Sequence, residues 1–415
     1  MIETIAYKIR NQQLDISEFV AENLEEAPVP IYSSFDIRCN GHKAAAVDPN
    51  LFPAGFNNVC RGGIRAASQV LEQIIRKKFG GGVKWVGLYA ENHTRNSFYF
   101  QNLFRLSDLI RKAGFRCRVV ATNPGFKDYP VEVEGADGDP VKIYRLRAEN
   151  RSFYAGEKKL DLVISNNDFS SGVPSLFDEA DTPVVPDRRL GWWNRTKHKH
   201  FEHQAELFGE LGELLRIDPW FLFPLTRQVE QVDFEEKEGF EEVAGAIDRI
   251  IEQTEKKYEE HGIEEEPRAF VKADRGTYGM GVYSFKNGEE FLGINRSRRD
   301  SMARRKGGGE NNQVIVQEGI RTVDRVTDLV AEPVIYCLEH RPIGGFLRTN
   351  EDRSDFENLN SRGMNFTAKD LCPLFIYDAQ KNEDSNLTDD KIEVYKLLAT
   401  VAALACGREV NSLKV

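Results

Sequence analysis

Between Arg65 and Thr122 the sequence alternates helical and extended patterns, and this alternation restricts the fold more than any other feature. Ala67, Val70, Leu71, Ile74 and Ile75 recur near helical spacing, and Gly80, Gly81 and Gly82 stop that helix. Residues 83–89 (VKWVGLY) form a short apolar strand. A polar loop, ENHTRN (91–96), leads into a second helix that ends at Gly114, and RCRVVAT (116–122) is another strand. A strand–helix–strand order predicts a parallel α/β layer. LDLVISNND (160–168) adds a buried strand with a polar loop at its C-terminal end, where open α/β sheets bind ligands.

The 415 residues suit two or three domains. Acidic residues exceed basic ones, 66 to 56. That balance argues against general nucleic-acid binding and against an anionic membrane surface, because both rest on Lys and Arg. The first residues lack the apolar core of a signal peptide, and the longest apolar stretch, LLATVAALAC, is too short to span a membrane. Cys39, Cys60, Cys117, Cys337, Cys372 and Cys406 are dispersed without a CxxC pair, so reduced thiols and a cytoplasmic location are expected.

A second region opens with a helical stripe of Phe240, Val243, Ala244, Ile247, Ile250 and Ile251. RAFVKAD (268–274), VYSF (282–285) and QVIVQEGI (313–320) read as strands, with a charged helical stretch and the glycine-rich RRKGGGENN (304–312) before the last. EPVIYCLE (332–339) and PIGGFLRT (342–349) form an antiparallel pair, and a final helix covers about 389–405. Residues 28–58, dense in Gly, Pro, Asn and Asp, read as an extended loop.

The stretch FVKADRGTYGMGV (270–282) sets Lys272 on a strand just ahead of Gly276, Thr277, Tyr278, Gly279 and Gly281. It matches neither GxxxxGK[ST] nor GxGxxG. Glycines let backbone N–H groups approach phosphate, and a lysine supplies a point charge to a phosphoryl oxygen. A tight hairpin with an exposed lysine explains the same residues. A lysine strand, a glycine flap, a later strand ending in Gln317 and Glu318, and a second sheet carrying metal ligands and an arginine together resemble the ATP-grasp fold. The resemblance implies that Gln317 and Glu318 meet adenine and ribose. It also implies that Glu332, Asn358 and Asn360, near Glu357, hold magnesium, and that Arg348 offsets transition-state charge.

YSSFDIRCNGHKAAAVDPNLFPAGFNN (32–58) carries more polar residues and glycines between its aromatics than core building requires. Arg38 and Lys43 are suited to clamp substrate carboxylates, Asp36, Asp48 and Asn50 to receive an amino group, and Asn57 and Asn58 to orient amides. An irregular structural loop is the other reading of this segment. In KHKHFEH (197–203), His198, His200 and His203 lack the fourth ligand of a zinc site. Arg195 and Lys197 are instead expected to face an anionic substrate. Arg95 and Asn96 complete the candidate substrate-binding set, and His93 is expected to hold its loop by hydrogen bonding.

SSFDIR…VDPNLFPAGFNN, ENHTRN, NNDFSSGVP (166–174), GWWNRTKHKHF (191–201) and KADRGTYGMG (272–281) together resemble the proteobacterial-type glutamate–cysteine ligases, an ATP-grasp-related group. The resemblance runs from Pro28 past Asn360. It implies ATP and Mg2+ as cofactors, and L-glutamate and L-cysteine as substrates. It further implies an α/β protein with an N-terminal parallel α/β substrate domain (1–225), an ATP-grasp lid with a glycine-rich flap (226–320) and a C-terminal α+β domain (321–415). Another ATP-grasp carboxylate–amine ligase, or a non-catalytic nucleotide-binding regulator, would differ in whether phosphate release needs glutamate and cysteine together.

Overall fold

The computed structural model describes residues 1–276, 281–303, 312–367 and 385–413. The described strands form three sheets, of eight, six and four strands.

The eight-stranded sheet contains the expected parallel layer. Strand Trp85–Tyr89 pairs in parallel with Arg116–Ala121 on one side and Leu162–Ser165 on the other. Helices Arg61–Phe79 and Ser97–Lys112 share a core with it. Ala67, Leu71, Ile74 and Ile75 of the first helix are buried with Val86 and Leu88 of the central strand, each Leu or Ile contributing about 1.5–3 kcal/mol on burial. Asn96 caps the second helix by accepting from the Tyr99 N–H at 3.1 Å. These three strands, being parallel, end on the same edge, where the ENHTRN and NNDFS loops emerge.

The six-stranded sheet corrects the reading of residues 28–58 as a loop. Tyr32–Cys39 and Ala44–Asn50 are strands, and the first pairs antiparallel with Leu329–Leu338. That strand pairs in turn with Arg341–Asn350, and Met364–Thr367 forms the edge. Residues from the beginning and the end of the chain thus build one sheet. Strand periodicity explains it: Phe35, Ile37 and Cys39 enter the main core, while Ser34, Asp36 and Arg38 point to the other face. The final helix, Asp389–Ser412, reaches beyond the expected residue 405 and lies in the same core, with Leu398, Ala402 and Ala405 fully buried.

The four-stranded sheet is antiparallel, in the order Thr226–Glu230, Gln313–Glu318, Ala269–Ala273, Tyr283–Phe285. Helix Phe240–His261 covers one face, burying Val243, Ile247 and Ile250 against Val271, Val314 and Val316. This sheet carries Lys272.

Cys39, Cys117, Cys337 and Cys406 are free thiols, as expected, but Cys60 is disulfide-bonded. No described helix is long and apolar enough to cross a membrane.

Candidate active site

A cavity of about 550 Å³ opens between the C-terminal edge of the parallel strands and the polar face of the six-stranded sheet. Asp36, Asp48 and Asn50 line it from the two N-terminal strands, and Arg348 from the strand beyond Leu329–Leu338. Asn57 and Asn58 reach it from the loop after Asn50. Asn102 shapes that loop: its Oδ1 accepts from the Gly55 and Phe56 N–H groups, both at 3.0 Å, and its Nδ2 donates to Asn166. Gly55 sits at φ +108, and a Cβ there would stand 2.8 Å from the Tyr336 hydroxyl, so only glycine fits. Asn360 comes from a turn tied to the end of strand Arg341–Asn350, where Asn350 Nδ2 donates to the Ser361 hydroxyl at 3.1 Å and the Arg362 carbonyl at 3.2 Å. Asn96 also lines the cavity.

The cavity floor is an ionic ladder across paired strands. Arg348 Nη1 donates to Asp36 Oδ2 at 2.6 Å and to Glu332 Oε1 at 2.7 Å, and Arg38 Nε donates to Glu332 Oε2 at 2.6 Å. Burial acts to raise the Glu332 carboxyl, but Arg38 and Arg348 outweigh it and hold it below the usual range. Asp36 goes the other way. Burial, reinforced by the carboxylates of Glu332 and Asp48, pushes it up to about 6 against the pull of Arg348. Asp48, which forms an ion pair with Lys197, is held low by Lys197 and Lys272 despite its burial. The Nε of Arg348 is buried and has no hydrogen-bond partner among the described residues.

Lys272 adjoins this floor. Its Nζ donates to the Val47 carbonyl at 3.1 Å, next to Asp48, and to Gln317 Oε1 at 2.7 Å. Burial pushes its ammonium down, to about 8. It is not the exposed lysine of a simple hairpin. Gly276 and Gly281 both have positive φ, and a Cβ on Gly281 would approach the Met302 backbone to 2.8 Å. Thr277, Tyr278 and Gly279 lie outside the described residues.

Several expected site residues stand elsewhere. Arg38 donates to Glu332 and to the carbonyls of Asp355 and Glu357, so its guanidinium fork is occupied by protein. Lys43 is fully buried and pairs with Glu318 at 2.6 Å, 4.1 Å above the Trp220 ring. Glu318 also accepts from Trp220 Nε1 and the Leu225 N–H, which places it in a packed ionic knot rather than an open ribose pocket. Arg195 is buried against Glu409 and the Pro49 carbonyl and does not line the cavity. Arg95 is exposed and does not line the cavity. Glu332 has both carboxylate oxygens engaged by arginines. Asn358 Oδ1 accepts from the Asn360 N–H at 2.9 Å, and Glu357 accepts from Arg353 and the Ser354 N–H. This segment is a turn, not a strand. The three histidines diverge: His198 faces Asp274, His200 faces Glu409 and Gln204, and His203 faces Glu206 and Ser412.

The model of the family described as glutamate-cysteine ligase matches residues 7–410. The chain belongs to the glutamate–cysteine ligase family. This ligase joins L-glutamate to L-cysteine, the first step of glutathione biosynthesis. Among solved structures it is similar to a candidate gamma-glutamylcysteine synthetase from Methylobacillus flagellatus KT, with a TM-score of 0.88 and 29% identity over 99% of this chain and 96% of that one. A glutathione synthetase-like effector from Globodera pallida (TM-score 0.39, 9% identity, 84% of this chain, 74% of that one) is far more remote. So is D-alanyl-alanine synthetase A from Vibrio cholerae (0.33, 12%, 77%, 79%), and neither carries an argument. No curated protein matches by sequence.

The ligase cavity also includes residues that were not among the candidates. Glu91 and Asp168 line it from the loops at the ends of the parallel strands, together with Ser34, Phe98, Trp192 and Phe366. The signal for Glu91 and Asp168 lay in the rule that such strand ends face ligands, since both follow strands legible in the sequence. Lys197 pairs with Asp48 inside the protein rather than facing an anionic substrate.

Proposed function

We propose that the cavity and the Lys272 strand form one reaction chamber, in which the glutamate γ-carboxylate attacks the γ-phosphate of ATP. ADP leaves, an acyl phosphate forms, and the cysteine amine attacks the acyl carbon. That step expels inorganic phosphate and releases a proton from the amine. The substrate carboxylate is itself the nucleophile, so the protein's tasks are positioning and charge neutralisation.

One observation carries this reading: Asp36, Asp48, Asn50, Asn57, Asn58 and Arg348 converge on one cavity in a chain of the ligase family. They offer carboxylates and amides to an amino acid, and a guanidinium to a carboxylate or phosphoryl oxygen. Lys272 does not line the cavity itself, but its Nζ reaches the Val47 carbonyl, next to Asp48 on the cavity wall, which supports a role for its ammonium on the phosphates. Gly276 and Gly281 both hold positive φ, a conformation that glycine adopts without strain. Asp36, Asp48, Asn50, Asn57 and Asn58 are the groups suited to the amino and carboxyl ends of the amino acids.

The oxygen donors present fit magnesium, which takes carboxylate and amide oxygens and is shared with substrate phosphates. Asp36 and Asn360 line the cavity and offer such oxygens, and a cation would favour the charged form of Asp36 against the burial and the neighbouring carboxylates that raise its pKa. When bound, magnesium neutralises phosphoryl charge. Glu332 would join it only after releasing an arginine.

The test is phosphate release by the purified protein given ATP with glutamate, with cysteine, or with both. Release that requires both supports the reading. Release with unrelated acids and amines alone, or with ATP alone at the same rate, overturns it.

A further inference from the structure

Helix Lys197–Leu215 begins without a cap of its own, because Thr196 makes no capping hydrogen bond. The first N–H groups of a helix have no partner within it and need one from elsewhere. Asp274 supplies it from the four-stranded sheet. The Lys197 N–H donates to the Asp274 carbonyl at 2.7 Å, and the His198 N–H donates to Oδ1 at 2.8 Å. The same carboxylate meets His198 Nδ1 at 2.6 Å and accepts from Gln228 Nε2 at 3.2 Å. Asp274 is completely buried, two residues beyond Lys272, and its own N–H donates to the Gln313 carbonyl at 3.1 Å.

Asp274 therefore joins two cations that reach one short stretch of strand. Lys272 reaches the Val47 carbonyl, and Lys197, the first residue of the capped helix, pairs with Asp48. The next residue, Arg275, donates from Nη1 to the Trp193 carbonyl at 3.2 Å, docking the start of the glycine loop beside the cavity wall.

We propose that Asp274 is a positioning residue, which sets Lys272 against the Lys197–Asp48 pair by capping the helix that Lys197 begins. It touches neither substrate nor nucleotide. This rests on the proposed role of Lys272 at the phosphates. Lys272 reaches the Val47 carbonyl by its own side chain, and the Asp274 contacts add a second tie between its strand and the Lys197–Asp48 pair. The capping contact gives the two a fixed register.

The experiment is a double-mutant cycle on ATP-dependent phosphate release, with glutamate and cysteine saturating. Asp274→Ala removes the side-chain oxygen that caps the helix, whereas Asp274→Asn keeps an acceptor there. We expect Asp274→Ala to lower kcat about tenfold or more, with the KM for glutamate changed less than about threefold, and Asp274→Asn to stay within about threefold of the wild type. In a Lys197→Met background Asp274→Ala should lower kcat less than about threefold, because both side chains act on the placement of Asp48. Equal effects of Asp274→Ala in both backgrounds would overturn the proposal, as would a loss of kcat matched by loss of folded protein. His198→Ala, at the partly exposed end of the contact, carries the same cycle if Asp274→Ala does not fold. Failure of the proposed function is read separately, from wild-type protein that releases no phosphate with both substrates.

Discussion

The Arg195 guanidinium holds the Glu409 carboxylate through two hydrogen bonds, from Nε at 2.7 Å and Nη2 at 3.0 Å, with both side chains almost wholly buried. This bond reaches from the segment after Trp193 to the final helix. Arg195 also donates to the Pro49 carbonyl, and His200, paired with Glu409, leans on Gln204, whose Nε2 donates to the Ala46 carbonyl. The network thus braces both flanks of Asp48 from behind. Removing one partner of a buried pair leaves an uncompensated charge, which costs about 3–5 kcal/mol. Glu409→Ala should lower the urea midpoint accordingly, and an unchanged midpoint would show that the pair does not brace the fold.

The same glutamate sets an acid limit. Burial opposes ionisation of Glu409, but Arg195 and His200 prevail and bring its pKa down to about 2. A depressed carboxylate contributes stability that is present above its unfolded pKa of about 4.3 and lost as pH falls through the folded value. Stability should therefore decline between about pH 4.3 and 2, by up to about 3 kcal/mol from this group. In Glu409→Gln that segment of the profile should be flatter. A profile identical to the wild type's would contradict the assignment.

Asp36 should show the opposite sign. Its folded pKa is raised to about 6 by burial and by Glu332 and Asp48. The folded protein then holds this proton more tightly than the unfolded chain does, so stability falls as pH rises from about 4 to 6. At pH 7, Asp36→Asn should be more stable than the wild type by about 2–3 kcal/mol and should lose turnover, a trade of stability for function. Denaturation at pH 7 alongside an activity assay checks both. A less stable Asp36→Asn would contradict the account.

Lys272 sets the alkaline side. With its pKa brought down to about 8 by burial, the ammonium is lost as pH rises through that value, and kcat/KM for ATP, which reports the free enzyme, should fall with it. Lys272→Arg should move this limb well upward, because a guanidinium stays charged. Lys43 is also pushed down to about 8, but it is locked to Glu318 away from the cavity, so a limb unmoved in Lys272→Arg would assign it elsewhere.

The parallel layer and three of the four strands of the Lys272 sheet were legible because their apolar residues recur at helix or strand spacing, as in Ala67–Ile75 and 313–318, whereas Thr226–Glu230, with few apolar residues, was not. The two N-terminal strands were hidden by their own function. Ser34, Asp36 and Arg38 alternate with Phe35, Ile37 and Cys39, a true strand pattern, but the polar half builds the cavity and the Gly-rich flanks read as loop. Residue type identified the charged groups of the site but not their partners. Arg38, Lys43 and Arg195 read as cations that face a substrate. Nothing in their spacing reveals that Glu332, Glu318 and Glu409, each more than 200 residues away, neutralise them. Asp36, Asp48, Asn50, Asn57, Asn58, Asn96, Arg348 and Asn360 do converge on one cavity.

The most direct measurement is phosphate release from ATP by the wild type and by Lys272→Ala, with glutamate and cysteine supplied singly and together. The account predicts release only with both amino acids in the wild type. In the variant it predicts a rate lower by about two orders of magnitude or more, with the fold intact by circular dichroism. A Lys272→Ala protein that turns over at the wild-type rate would contradict it.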